Sequence, residues 1–310
     1  MSSTIRPTGL LSQSSPAKPT GPNQILGSSP TRHVQGPTYN NPIYALRNTS
    51  GLYNAVAKQI EDMKLEALAN LDYPETITRQ IEEWSKNHKY LDTDGNELRV
   101  AIVGEILGMA SGTIIRAHGN HYARDIDNFK PIDDKTKVKD TIAIGIPSAA
   151  TTTMYNTCYN QNICAGQIVA HNADEDKRKG VFPIVKNWTK SSLEGREQHD
   201  IMTLHMLPNR RPEAPVVAVE TLVTPGPEDI KLGAFYEPDL LPDFGGDYFN
   251  LVKAKLVQQD VRDVNSNLVP PWKIYDALKP GTLILALVSL HCFCMVDASR
   301  KEPKDRRARI

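Results

Sequence analysis

The sequence has little of what marks secreted or strongly charged proteins. Four cysteines in 310 residues are too few and too scattered for a disulfide scaffold, which favours reduced thiols in the nucleus or cytoplasm. No basic start followed by an apolar segment opens the chain, so we expect no secretory signal and an intracellular protein. Basic and acidic residues number 36 each, giving a formal net charge of zero. Binding to nucleic acid therefore requires a local patch.

The sequence also lacks an apolar run long enough for a membrane span. Its most apolar stretch is LKPGTLILALVSLHCFCMVD, whose 15-residue centre from Thr282 to Val296 is interrupted by Ser289 and His291. A spanning helix needs about 20 residues. We therefore predict no membrane insertion and interpret the stretch as a central strand. By alternation its even-numbered side chains face the core, its first half is buried on both faces, and His291 and Phe293 point outward.

Short motifs of common cofactor-dependent enzymes are absent. Gly104, Gly108 and Gly112 match neither the dinucleotide-binding fingerprint nor the phosphate-binding P-loop, because their spacing is wrong and no Gly-Lys-Ser/Thr follows. Neither a G-x-S-x-G nucleophile turn nor an H-E-x-x-H zinc pair occurs. We predict no cofactor and favour a protein that is not an enzyme.

The first third of the sequence reads as a tail followed by helices. Residues 1–40 are rich in Ser, Pro, Thr and Gly and predict a disordered tail, because few apolar residues offset the ordering entropy. Residues 41–92 form a predicted helical section. Apolar residues at helical spacing indicate one helix over 52–71 and a second over 74–88.

The remainder has the texture of β-strands. Asp94-Gly95 supplies a tight hairpin turn, and residues 93–230 carry short Val- and Ile-rich runs divided by Gly, Pro and Asn. Residues 231–310 contain an alternating run at 249–261, a turn, a short helix, the long apolar strand and a basic tail. The prediction is an α+β protein: N-terminal helices, a mainly antiparallel β body and a C-terminal OB-like or small-barrel sheet.

Lysines and aromatic residues near two of these strands suggest a binding function. Lysines can follow phosphates while bases stack on aromatic rings, as on single-stranded nucleic-acid platforms. The leading hypothesis is therefore a non-catalytic binding module for single-stranded nucleic acid. The candidate platform consists of Phe249, Lys253, Lys255, His291 and Phe293.

Two alternatives stay open. The densest polar cluster, AHGNHYARDIDNF, offers histidines and carboxylates that suit a divalent metal, as in a metal-dependent hydrolase or oxygenase. A structural or self-assembling protein of mobile-element or viral descent is the other alternative. The candidate metal ligands are His118, His121, Asp125 and Asp127.

The cysteines do not predict a zinc site. Cys292 and Cys294 lie two residues apart on one strand face, and a closed site needs two further ligands, usually a second close pair. Cys158 and Cys164 are spaced C-x5-C, which is wrong for that pair. We therefore expect the thiols to pack in the core.

Several phrases resemble a known set of proteins. YALRNTSGL, VFPIVKNWTKSSLEG and PPWKIYDALKPGTLILALVSLHCF are similar to predicted proteins from genomes of mushroom-forming fungi, and the likeness covers roughly residues 42–310. The resemblance implies no activity and no catalytic residues, because none is established for that set. It also implies that such proteins continue into a further strand beyond the position of residue 310, so that this chain is a short version.

Overall fold

Helices and mostly antiparallel sheets build the protein, as seen in a computed structural model. The predicted α+β class with helices at the N-terminal end is confirmed. The predicted tail at 1–40 and the basic C-terminal tail lie outside the described residues. Those residues are 42–73, 76–81, 87–116, 131–136, 138, 140–178, 188–191, 200–206, 230–245 and 249–292.

The regular elements of the described residues are four helices and twelve strands. The helices are α1 (Pro42–Thr49), α2 (Leu52–Asp62), α3 (Thr152–Arg178) and α4 (Ile274–Ala277). The strands are β1 (Thr78–Ile81), β2 (His88–Leu91), β3 (Arg99–Ile106), β4 (Ile132–Asp133), β5 (Asp140–Gly145), β6 (Thr189–Lys190), β7 (Ile201–Met206), β8 (Phe235–Tyr236), β9 (Phe249–Asn250), β10 (Leu256–Val257), β11 (Leu283–Ser289) and β12 (His291–Cys292).

The largest sheet has five strands in the order β11-β3-β5-β7-β6. Strand β3 is buried along almost its whole length, as its continuous Val- and Ile-rich run predicts. It pairs antiparallel with β11 over seven residue pairs. A second sheet has the order β1-β2-β12, so the chain passes from the large sheet to the smaller one between Ser289 and His291.

Two apolar clusters form the core. The larger one collects side chains from β2, β3, β5, β7, α3 and α4, with β11 and β12 packed against it. The smaller one lies between α2, β3 and the first turns of α3. Because β3 faces both clusters, residues far apart in sequence share one interior. The smaller cluster comprises Tyr53, Ala57, Ile60, Ala67, Ala101, Val103, Met154 and Cys158.

Strands β3 and β5 meet at one end and then separate. They pair only at Glu105 with Gly145 and Ile106 with Ile144. At this close approach a Cβ on Gly104 would lie 3.0 Å from the Gly145 carbonyl oxygen, so the position requires glycine. Further along β3, Gln161 of α3 takes the place of a strand neighbour. Its side chain accepts a hydrogen bond from the Val103 N–H (3.1 Å) and donates one to the Val103 carbonyl (2.7 Å).

Helix α3 was not predicted, because the run GQIVAH at 166–171 was counted among the short strands expected over 93–230 and instead lies within this helix. The helix runs unbroken for 27 residues, and its buried positions recur every three or four residues. Several of these positions carry polar side chains, which concealed the helical period. The buried set is Met154, Cys158, Gln161, Asn162, Cys164, Ala165, Ile168, Val169 and Asn172.

The predicted helix over 74–88 was also wrong. Residues Thr78–Ile81 form β1, which pairs antiparallel with β2 across four residue pairs. Ile77 and Ile81 are four residues apart, a spacing that places side chains on one face of a helix and equally on one face of a strand. The pairing with β2 decides between the two. The predicted hairpin at Asp94-Gly95 is confirmed, because β2 and β3 flank it and Leu91 bridges Glu97.

The long apolar run forms β11. Its side chains alternate between the core and the other face as predicted, but the strand does not lie in the centre of its sheet. Its even-numbered side chains pack against the larger core cluster. The expectation of burial on both faces was wrong, because Leu285 and Leu287 are 45% and 64% exposed. Among the described strands β11 is the outermost of its sheet rather than central. The OB-like arrangement stays unconfirmed, because strands of 231–310 are distributed over four sheets.

Candidate nucleic-acid interface

The segment that carries Phe249, Lys253 and Lys255 is two short strands joined by a bend. The continuous strand predicted over 249–261 was wrong: β9 ends at Asn250, β10 begins at Leu256, and Val252 is 80% exposed instead of facing the core. Strand β9 pairs with β4, whereas β10 pairs with β8. Because the two strands have different partners, the bend between them is free of sheet pairing, and its residues Val252, Lys253 and Lys255 are exposed.

Three consecutive backbone N–H groups of this bend converge on one carboxylate. Val252, Lys253 and Ala254 donate to Asp134 Oδ1 at 3.1, 3.1 and 2.9 Å, and the Lys253 N–H also lies 3.0 Å from Oδ2. Successive N–H groups of this kind form an anion-binding concavity. We call these three N–H groups the amide nest. They lower the pKa of the Asp134 carboxyl, with the Lys253 backbone as the largest contribution.

Two aromatic residues precede the nest in the sequence, and the nearer one is three residues from it. The rings of Phe244 and Phe249 pack with centroids 5.2 Å apart and an interplanar angle of 41°. Phe244 is exposed, and Phe249 is half-buried because β9 pairs with β4. Phe249 precedes Val252 by three residues, which limits their Cα separation to about 11 Å. A base stacked on this pair would therefore have its phosphate within reach of the nest.

Two lysines complete the local chemistry. Lys253 and Lys255 are both exposed. The Lys255 ammonium forms an ion pair with Glu237, whereas in the described part of the chain Lys253 forms none. We use the name Phe–Lys surface for Phe244, Phe249, Lys253 and Lys255 together with the amide nest. Its positive groups are two ammonium ions and three N–H dipoles, against the carboxylates of Asp134 and Glu237.

The remaining two predicted platform residues are placed differently. His291 lies in β12, which pairs with β2, and its imidazole Nε2 is 3.2 Å from Glu97 Oε1. The strands that carry Phe249 and His291 thus belong to different sheets. Phe293 lies outside the described residues.

The four candidate metal ligands lie outside the described residues: His118, His121, Asp125 and Asp127. Within those residues, no group of three or more His, Cys, Asp or Glu side chains is arranged to hold a metal ion. In the same residues no helix is long and apolar enough to cross a membrane.

The cysteines that are described behave as packing residues. Cys158 and Cys164 are buried on α3, and Cys292 packs against the larger core cluster with its Sγ 3.6 Å from the Tyr90 hydroxyl. Burial raises the pKa of Cys158 to about 12 and that of Cys164 to about 11. Their thiols are therefore poor nucleophiles.

A second concave site was not predicted from the sequence. A cleft of about 330 Å³ lies where β1 meets the last turns of α3. At its wall the Arg79 guanidinium, almost fully buried, binds Glu175 at 2.7 Å and Asp176 at 3.0 Å. In the sequence, this cleft is indicated by the pair His171 and Glu175, four residues apart. The pair has this meaning only once residues 152–178 are known to form a helix. The lining residues are Tyr73, Ile77, Thr78, Arg79, Ile81, His171 and Glu175.

A hydrogen-bonded chain leads from this cleft into the core. The Tyr73 hydroxyl donates to Asn172 Oδ1 at 3.1 Å, and Asn172 Nδ2 donates to the Tyr90 hydroxyl. Tyr90 packs edge-on against Trp188, with ring centroids 5.6 Å apart. Two carboxylates already neutralise Arg79, so the network explains how β1, β2 and α3 are joined, and it leaves no unpaired charge on Arg79 for a ligand.

Comparison with known proteins gave no match to a family model, to a curated protein or to a solved structure. The functional argument therefore rests on the geometry of the Phe–Lys surface.

Proposed function

We propose that the protein is a non-catalytic binding module that takes single-stranded nucleic acid on the Phe–Lys surface. The observation that carries the proposal is the amide nest beside the Phe244–Phe249 pair. A nest accepts an anion and an aromatic pair accepts the face of a base. A strand of nucleic acid presents both groups in each nucleotide.

The electrostatics of the surface support a phosphate ligand. Because the whole chain has no net charge, attraction must arise locally, and Lys253 and Lys255 supply it. The ion pair of Lys255 with Glu237 is partly exposed, and exposed pairs contribute little free energy. A phosphate can therefore take the place of Glu237 at small cost.

Stacking supplies the part of the binding that does not depend on charge. Base–aromatic stacking contributes about 1–3 kcal/mol per base and tolerates any base, because every base has an aromatic face. Phe244 is the exposed member of the pair, so a base can cover it without opening the core. The proposal thus predicts affinity with little sequence preference. It uses neither His291 nor Phe293.

The test is fluorescence anisotropy of a labelled single-stranded oligonucleotide at several salt concentrations. Binding should weaken as salt rises. Lys253→Glu should weaken it further and should make the fall of log K with log salt less steep by about 0.7, the value for one phosphate contact on a single strand. Phe244→Ala should cost about 1–3 kcal/mol of binding free energy with little change in slope.

Lys58→Glu is the matched control. Lys58 is an exposed lysine of α2, and its substitution changes the net charge by the same amount as Lys253→Glu. Absence of binding at low salt, or equal affinity of the Lys253→Glu and Lys58→Glu proteins, would overturn the proposal.

A further inference from the structure

The amide nest is already occupied, and its occupant belongs to the same chain. Asp134 offers both carboxylate oxygens to Val252, Lys253 and Ala254 over four contacts between 2.9 and 3.1 Å. The bend thus has the geometry of an anion receptor. Asp134 is itself exposed, so solvent and solutes reach the place where the carboxylate and the N–H groups meet.

Asp134 has no comparable role in its own turn. The preceding residue, Asp133, holds that turn: its Oδ1 accepts from the Lys135 N–H at 3.1 Å and from the Thr136 hydroxyl at 2.7 Å. The two segments are also joined without Asp134, because β4 and β9 pair through Ile132 with Phe249 and Asp133 with Asn250. The Asp134 carboxylate can therefore leave the nest while turn and strand pairing remain.

We propose that the amide nest is a phosphate-binding site and that Asp134 is its built-in competitor. This inference rests on the proposed function and deepens it. A backbone phosphodiester carries one negative charge and two unbridged oxygens, as a carboxylate does, whereas inorganic phosphate or a terminal phosphomonoester carries about −1.5 to −2 charges at pH 7. The nest supplies three N–H groups for these oxygens, and the Lys253 ammonium adjoins them. Carboxylate and phosphate thus compete for the same donors.

Intramolecular attachment gives Asp134 an advantage over small ions. A group tethered by a short segment competes at an effective concentration of roughly millimolar. Inorganic phosphate at lower concentrations should not displace it. A nucleic-acid strand can, because it adds stacking on Phe244 and further charge contacts to its phosphate contact. Asp134 would thus favour extended ligands over free phosphate.

The ionisation of Asp134 agrees with this competition. The three backbone N–H groups and the nearby Lys253 ammonium hold the pKa of its carboxyl below the ordinary value of 3.8. The competitor is therefore charged throughout the physiological range, and it weakens only in acid, as pH falls through that lowered pKa.

The experiment compares Asp134→Ala with Asp133→Asn in the full chain. Both substitutions remove one negative charge from adjacent exposed residues. Asp133→Asn keeps the Oδ1 acceptor for the Lys135 N–H and the Thr136 hydroxyl, so the turn is retained and only Asp134→Ala empties the nest. One arm titrates inorganic phosphate into ¹⁵N-labelled protein and follows the amide signals of Val252, Lys253 and Ala254. The other arm measures binding of the labelled oligonucleotide. Asp134→Asn is a third variant, which keeps an oxygen acceptor without the charge.

The expected result is selective. If Asp134 fills the nest nine-tenths of the time, its removal raises apparent affinity about tenfold, because only the open fraction binds. Phosphate should shift the three amide signals in Asp134→Ala and, less, in Asp134→Asn. At the same concentrations it should leave them in place in the unsubstituted protein and in Asp133→Asn. Oligonucleotide affinity should likewise rise most in Asp134→Ala and less in Asp134→Asn.

Failure of the inference is distinguishable from failure of the proposed function. If phosphate shifts the three amides in neither Asp134 variant, or equally in Asp133→Asn and Asp134→Ala, the inference is wrong, whatever the oligonucleotide does. If phosphate binds the opened nest but no variant binds the oligonucleotide, the phosphate site is supported and the nucleic-acid function is contradicted. If Asp134→Ala disorders the bend, so that its amide signals are lost, the Asp134→Asn spectra decide.

Discussion

The Gln161 side chain makes the hydrogen bonds to the Val103 backbone that a neighbouring strand would otherwise make. Where β3 leaves β5, the Val103 N–H and carbonyl both hydrogen-bond the Gln161 amide, and among the described residues the carbonyl has only the Cys158 thiol, 3.6 Å away, as a second donor. Gln161 is itself buried, so water cannot take over its hydrogen bonds. An unsatisfied buried donor or acceptor costs about 1–3 kcal/mol, which gives this single amide a large part in stability.

We expect Gln161→Ala to lower the free energy of unfolding by about 1–3 kcal/mol, because it leaves the Val103 N–H unpaired and the Val103 carbonyl with only the weak donor Cys158 Sγ, 3.6 Å away. Urea denaturation followed by circular dichroism measures the change. Gln167→Ala is the matched control, since Gln167 is an exposed glutamine of the same helix and gains the same helix propensity. Equal effects of the two substitutions would contradict the role given to Gln161.

At the scale of elements, the chain through β11 and on to Leu290, which lies between β11 and β12, has one buried face. We expect Leu290→Ala to destabilise the protein by about 2–5 kcal/mol, because Leu290 is 8% exposed and belongs to the larger core cluster. Leu287→Ala removes the same atoms three residues away, where the side chain is 64% exposed, and should cost less than about 1 kcal/mol. Thermal or urea unfolding of the pair measures the difference. Equal losses would mean that both faces of β11 are buried.

The strands could be predicted more readily than the long helix, for a physical reason. Continuous apolar runs identified β3, β5, β7 and β11, because strands in a buried sheet need apolar residues on both faces or on alternate positions. Helix α3 could not be predicted from the sequence, because it buries polar residues such as Gln161 and Asn172, whose hydrogen-bond partners lie on distant segments. Periodicity in apolar residues cannot reveal a helix whose inward face is partly polar.

The candidate site was predictable only in its local part. Phe249, Lys253 and Lys255 share one segment, so their spacing was visible in the sequence. Asp134 is 118 or more residues away from its hydrogen-bond donors, and nothing in its neighbourhood indicates that contact. The parallel pairing of β4 with β9 brings it there, and such a two-residue pairing leaves no sequence pattern.

At the scale of the whole molecule, α3 joins the two core clusters. Cys158 lies in the smaller cluster and Cys164 in the larger one, two turns further along the same helix. Because both clusters also share β3, we expect them to unfold as one cooperative unit. The two thiols should then react with iodoacetamide at the same slow rate in the native protein at pH 8 and become reactive together as urea is raised. Peptide mapping by mass spectrometry resolves the two sites, and well-separated urea midpoints would show two independent units.

The same thiols predict how stability responds to alkaline pH. Burial raises the pKa of Cys158 from 9.0 to about 12 and that of Cys164 from 9.0 to about 11. Above pH 9 the unfolded chain releases these protons while the folded protein keeps them, so the unfolded state gains free energy of ionisation. The free energy of unfolding should therefore fall as pH rises from 9 towards 11. Urea titrations at pH 8, 9 and 10 measure the slope, which should be shallower in Cys158→Ala because one buried thiol is gone. An unchanged slope would show that other groups dominate the alkaline response.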